Sequence, residues 1–176
     1  MDKKWLEQET EAFGLALARQ GIRLAVPFQR VSGRERVFQE VKDGSDLAAV
    51  IDHTLLKPNA SQREIRKLCQ EAREYQFASV CVNPVHVPLA QSLLADSVVK
   101  VGTVIGFPLG ATRTLVKVWE ARDAIAAGAE ELDLVLNIGS LVEQDYAKVY
   151  ADLRAVREAS PGRVLKVILE TGFLSK

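Results

Sequence analysis

Five short apolar runs, each closing on or flanked by polar residues, recur between residues 49 and 170: AVIDH, ASVCVN, VVKVGTVIGF, ELDLVLN and VLKVILE. Runs of this length, rich in β-branched residues, read as buried strands. They predict strands over Ala49–His53, Ala78–Asn83, Val98–Phe107, Glu131–Asn137 and Val164–Glu170. Helical spacing fills the gaps. Ile65, Leu68 and Ala72 share one face, behind a Ser61/Glu64 capping box. A second helix is predicted from Pro84 to Leu94, with proline near its start, where a missing N–H costs little. Leu115, Val118, Ala121 and Ile125 mark a third, stopped by Gly128. Tyr146, Val149, Leu153 and Val156 mark a fourth, broken at Pro161-Gly162.

Strand and helix alternate about every 25–30 residues, the size of a βαβ crossover, so the sheet is expected to be parallel. Two architectures compete, an open doubly wound sheet and a (β/α)₈ barrel. No GxGxxG turn follows the first strand, which weakens the dinucleotide-binding version. Polar residues at several strand ends favour the barrel. The expected fold is therefore an α/β partial barrel of about five parallel strands over residues 46–176. Residues 1–45 read as an N-terminal helical extension. There Leu6, Phe13 and Leu17 repeat at helical spacing before Gly21, and IRLAVPF reads as a short strand interrupted by Pro27.

Strand alternation turns this pattern into chemistry. Asp133 shares a face with Val135 and Asn137, and Lys166 with Ile168 and Glu170. Both charges interrupt apolar runs on strands adjacent in the repeat, so a contact between them is expected. A buried charge without a partner costs several kcal/mol. The pair is therefore either a structural tie between strands or a carboxylate and an amine held for proton transfer and iminium chemistry. Burial of Lys166 is also the condition for a lowered lysine pKa. Asp52, at the end of the first strand, fits either a site residue or the cap of a turn. Cys81 reads as a small core residue and Asn83 as turn chemistry. Lys57 and Arg113 follow strand ends and fit either an anion contact or a solvated surface. The lysines and glutamates of the helices are expected on exposed faces.

Composition narrows the partners. Lys plus Arg and Asp plus Glu are 23 each, so charge gives no case for nucleic acid or a membrane surface. No run nears the roughly 18 apolar residues of a membrane span, and the first ten residues hold no apolar signal core. The cytoplasm is the expected location. Cys69 and Cys81 have no metal-like spacing, and no disulfide is expected. His53 and His86 form no metal motif, so neither metal nor cofactor is expected.

Five segments in order carry a family signal: IDHTLLKP, ASVCVNP, TVIGFPLGA, AAGAEELDLVLNIG and LKVILETG. Together they resemble deoxyribose-phosphate aldolase from about Asp46 onward. The resemblance implies a (β/α)₈ barrel and a metal-free class I aldolase. Such an enzyme cleaves 2-deoxy-D-ribose 5-phosphate to acetaldehyde and glyceraldehyde 3-phosphate through a lysine Schiff base. It also implies roles: Asp133 as the proton-relay aspartate, Lys166 beside the reacting centre, and Asp52 and Cys81 near the substrate. The family's Schiff-base lysine lies on a sixth strand and its second active lysine on a seventh, with phosphate-binding loops after the sixth to eighth. None of these has a counterpart in the sequence, which stops at Lys176. The expectation is a chain inactive by itself, with Lys166 no replacement for the nucleophile. The alternative is a non-catalytic binding or assembly module that pairs its exposed strand edges with another chain, a homo-oligomer if that chain is a second copy.

Overall fold

The computed structural model describes residues 44–174 together with Leu15, Ala18, Arg19 and Gly21. A short helix α1 (Gly44–Ala48) leads into β1 (Asp52–Leu55), α2 (Gln62–Tyr75) and β2 (Ser79–Val82). A 3₁₀ turn over Pro84–His86 then opens α3 (Val87–Leu94), followed by β3 (Lys100–Ile105) and α4 (Thr114–Ala126). The described part continues through β4 (Glu131–Val135), α5 (Ile138–Val142), α6 (Tyr146–Ala159) and β5 (Val164–Ile168). All four strand pairings are parallel, in the order β1-β2-β3-β4-β5. A doubly wound sheet must reverse its strand order at a switch point. An order that only advances is that of a barrel sector.

The register divides the sheet into two unlike faces. Parallel partners point the same way, so Val80, Val82, Val101, Ile105, Leu132 and Leu134 lie together on one face, packed with Ile65, Leu68, Ala72, Ala121 and Val156 of the helices. The other face carries Asp52, Ser79, Cys81, Gly102, Glu131, Asp133 and Lys166. Burying the first face against helices supplies the driving force for folding. The second is free to carry polar groups.

Helix α2 shows how local sequence sets the elements. Ser61 accepts the Glu64 amide at 3.3 Å, and the Glu64 carboxylate accepts the Ser61 amide at 2.8 Å. The capping box read from the sequence is thus formed. Ser61→Ala should cost about 1 kcal/mol, the usual worth of a cap, as a lower urea midpoint with unchanged slope. An unchanged midpoint would show that the cap adds nothing here.

Several expected boundaries move. β1 begins at Asp52, because Ala49 and Val50 form the turn after α1, which the periodicity did not predict. The expected strand ends Asn137 and Glu170 fall outside the sheet. Asn137 instead caps the short helix α5, accepting the Ser140 amide at 3.2 Å. Glu170 takes a left-handed backbone with φ 51°. Side-chain alternation therefore stops at Val135 and Ile168. At the other end of the chain Leu15, Ala18 and Arg19 are helical, and Gly21 has φ 77° with its amide on the Ala18 carbonyl. The rest of the extension expected over residues 1–45, including Leu6, Phe13 and the IRLAVPF strand, lies almost wholly outside the described residues.

The loop after β3 is shaped by two glycines. Gly106 (φ 65°) gives its amide to the Glu120 carboxylate at 2.7 Å, and Gly110 (φ 65°) donates back to the Gly106 carbonyl at 2.8 Å. A Cβ on Gly110 would stand 1.9 Å from the Leu136 carbonyl oxygen. The loop therefore lies directly on the end of β4, and only glycine allows that approach.

Candidate active site

The polar face of the sheet gathers a cluster around Lys166. Asp133 and Lys166 are register partners on β4 and β5, as their shared alternation predicted. The Lys166 ammonium donates to Asp52 Oδ2 at 2.6 Å and lies 3.1 Å from Asp133 Oδ1 and 3.2 Å from Glu131 Oε2. Ser79, the register partner of Asp52, donates to its other oxygen at 2.6 Å. The Cys81 thiol points at Asp133 Oδ2 at 3.6 Å. Each of these residues comes from a different strand or a different level of one strand. The parallel register brings them to one place.

All four residues expected at a site, Asp52, Cys81, Asp133 and Lys166, thus meet. Sequence reasoning missed Glu131 and Ser79. Both were within its reach, since each stands two residues before a residue it did select and so shares its face. Asp52 is not a turn cap, because it opens β1 and both its carboxylate oxygens are engaged across strands.

The electrostatics reverse one expectation. Burial alone would lower the Lys166 pKa, but the bond to Asp52 and the charge of Asp133 outweigh it and raise the amine above the ordinary lysine range. The side chain is also less enclosed than a core lysine, at 36% exposure. Lys166 is therefore held as an ammonium, with no lowered pKa. Burial pushes Asp52 upward too, yet the hydrogen bonds from Lys166 and Ser79 prevail and hold it below the usual carboxylate range. Burial and then the Asp133 charge push the Cys81 thiol up to about 12, which keeps it neutral.

Asp133 Oδ1 is buried and has no aligned hydrogen-bond donor. The Lys166 ammonium 3.1 Å away is its charge partner. One carboxylate oxygen with spare lone pairs, beside a fixed cation, is equipped to accept a proton and pass it on.

These shifts fix a pH window. Asp52, lowered on folding, stabilises the fold above its unfolded pKa of about 3.9, and this is lost as pH falls through the folded value. Lys166, raised on folding, stabilises it below about 10.4, and this is lost as pH rises through the folded value. The cluster thus contributes fully from about pH 4 to pH 10. Both side chains are more than a third exposed, so solvent screening limits each contribution to under about 1 kcal/mol. Urea unfolding at about pH 3, 7 and 11 should show the loss at both ends. Lys166→Met should flatten the alkaline side, and an identical profile in the variant would remove Lys166 as its source.

The helical layer holds a second polar group, against expectation. Lys117 of α4 is fully buried, donating to Asp152 of α6 at 2.7 Å and to the Val135 carbonyl at 3.0 Å. Thr114 donates to the other Asp152 oxygen at 2.7 Å. Helix lysines were expected to face solvent. Lys117, however, stands on the stripe of Ala121 and Ala124, and Asp152 on that of Val149 and Val156, so each stripe carried the signal. Cys69 and Cys81 are free and buried. Among the described residues no group of His, Cys, Asp and Glu has metal-binding geometry, and no helix is long and apolar enough to cross a membrane.

Residues 47–175 match the model of the DeoC/LacD family aldolases. The chain is 55% identical over 135 residues to the deoxyribose-phosphate aldolase of Clostridium perfringens strain 13, covering 76% of this chain and 60% of that protein. Against the deoxyribose-phosphate aldolase of Dictyoglomus turgidum the identity is 48% over 130 residues, with 74% and 59% covered. The chain therefore spans about 60% of the length of these curated relatives. Among solved structures, an aldolase called QR15 superposes with a TM-score of 0.71 at 42% identity, over 74% of this chain and 58% of that one. The deoxyribose phosphate aldolase from Aeropyrum pernix, described as having a unique tetrameric structure, gives 0.66 at 37% identity, over 76% and 56%.

Proposed function

Because this chain belongs to the DeoC/LacD family of aldolases, we propose that its polar sheet face is the proton-handling part of a Schiff-base aldolase site. The substrate proposed is 2-deoxy-D-ribose 5-phosphate, cleaved to acetaldehyde and glyceraldehyde 3-phosphate. Support for the substrate comes from the relatives named deoxyribose-phosphate aldolase and from the five-segment resemblance. The observation that carries the chemistry is the buried Asp133 Oδ1 held 3.1 Å from a clasped ammonium.

In this reading Asp133 takes part in moving the hydroxyl proton as the carbon–carbon bond breaks. Lys166 holds the neighbouring carboxylates in place and keeps Asp52 ionised. An amine attacks a carbonyl only when unprotonated, so Lys166, held as an ammonium, is not the imine-forming group. The family resemblance assigns that role to a lysine on a sixth strand, which the five described strands do not include. In this reading Asp52 and Cys81, which contact Lys166 and Asp133, lie near the substrate, with Cys81 a neutral neighbour rather than a nucleophile. No metal or cofactor has a part in the scheme.

The test joins this chain to the remaining segment of the Clostridium perfringens relative and measures glyceraldehyde 3-phosphate release from the deoxy sugar phosphate. Release is the expected result, and a folded chimera without it would overturn the assignment. Borohydride reduction with acetaldehyde should leave Lys166 unmodified in this chain, and an adduct mapped there would overturn the division of roles. We also propose a homo-oligomer, supported by the tetrameric description of the Aeropyrum pernix relative, and a cytoplasmic location, supported by the two free thiols.

A further inference from the structure

The buried Lys117 group lies on the opposite side of the sheet from Lys166 and has no part in the scheme above. We propose that Lys117 is a positioning residue that fixes the C-terminal end of β4, and through it the Asp133 carboxylate on the sheet's other face.

Three observations carry it. The first is a gap in the ladder. The last register pair between β3 and β4 is Ile105 opposite Leu134, and β3 then leaves the sheet at Gly106. The Val135 carbonyl thus has no strand amide beside it on that side. Lys117 Nζ takes the place of one, at 3.0 Å. Val135 follows Asp133 by two residues on the same strand, so the anchor acts close to the carboxylate.

The second is the path of the side chain. A Cβ on Gly106 would lie 3.0 Å from Lys117 Cε and 3.4 Å from Cγ. The lysine stem therefore runs beneath the glycine that ends β3, and the loop over it returns through Gly110 to press on Leu136. Lys117 thus sits under the end of β3, which flanks Asp133, and the end of β4, which carries it.

The third is the cost of the arrangement. Lys117 and Asp152 are 0% and 1% exposed. Two apolar side chains would fill this space without desolvating charges, so packing alone does not call for an ion pair here. An ammonium offers what an apolar residue cannot, a donor for the Val135 carbonyl. Asp152, oriented by Thr114, aims that donor.

The inference rests on the role given to Asp133, but its test needs no turnover. The readout is the alkaline titration of the Lys166 ammonium, followed by carbon NMR at its ε position. The groups facing that ammonium are Asp52, Glu131 and Asp133, with the Cys81 thiol beyond. Asp133→Asn sets the size of a full loss of the Asp133 contact. The test variant is Lys117→Met/Asp152→Asn, which removes both buried charges together. It should give a folded amide spectrum, with the Lys166 midpoint lowered in the direction of Asp133→Asn by about one pH unit or a sizeable part of it. Thr114→Val, which leaves both charges in place, is the milder variant should the double one not fold. It should move the midpoint the same way by a smaller step. An unmoved Lys166 midpoint in either folded variant overturns the proposal, since a purely structural ion pair has no reason to change a titration across the sheet. Failure of the aldolase reading would appear separately, as absent product in the chimera.

Discussion

Lys117→Met is expected to cost this protein about 3–5 kcal/mol of stability, the usual result of removing one partner from a buried ion pair. Asp152 would be left 1% exposed, as a carboxylate with only the Thr114 hydroxyl for company. Adding Asp152→Asn should recover most of the loss, because a neutral amide still accepts from Thr114 and leaves no bare charge. Urea unfolding of the single and double variants measures both steps. The coupling between the two sites, expected at more than about 1 kcal/mol, is the decisive quantity. Additive losses would mean that the two side chains do not act as a pair.

The second large effect is on chemistry. Asp133→Asn keeps the shape of the side chain and removes its ability to accept a proton. In the chimera proposed above, turnover should fall by about 10²–10⁴, the range typical of a lost acid–base group. The Michaelis constant should change little, since the substituted group acts in the transition state and not in uniform binding. Stability should hold within about 1 kcal/mol, because the Asp52 and Glu131 contacts to Lys166 remain. Full turnover in the folded variant would take Asp133 out of the mechanism. The Lys166→Met variant sharpens the same question. It leaves Asp52, Glu131 and Asp133 without the cation that holds them together, so turnover in the chimera should fall as the carboxylates move apart.

These two groups differ in how far they could be read beforehand. Asp133 and Lys166 broke the apolar pattern of two strands at matching positions, and a period of two leaves little choice of face. Glu131 and Ser79 obeyed the same rule but did not stand out, because each begins its strand, where a polar residue is unremarked. The pKa of Lys166 was beyond reach. Its sign depends on Asp52, 114 residues away in sequence, which the register delivers to 2.6 Å. Burial was visible in the run VLKVILE, whereas the carboxylates that overrule it come from other strands. Lys117 was misplaced for a related reason. A charged residue on a helix is exposed by default, and only a partner on a different helix makes burial tolerable.

Among the described residues, β1 and β5 are the edge strands of the sheet, which bears on assembly. Among the described residues, Val167 and Leu169 at the β5 side are 37% and 49% exposed. An unpaired edge with apolar side chains favours further pairing. It fits the continuation of a barrel as well as contact with another copy, and the mass of the protein in solution separates the two.

The sequence by itself determined the alternation of strands and helices, the parallel sheet and the α2 capping box. It also determined that Asp133 and Lys166 share a face. These follow from local periodicity and short-range hydrogen bonding, which act within a few residues. Tertiary structure decided the strand order, the true ends of β1, β4 and β5, and the clasp of three carboxylates on Lys166. It alone also decided the burial of Lys117 under Gly106. Each of these depends on groups far apart in the chain, because charge and desolvation act through space and only the folded register sets those distances.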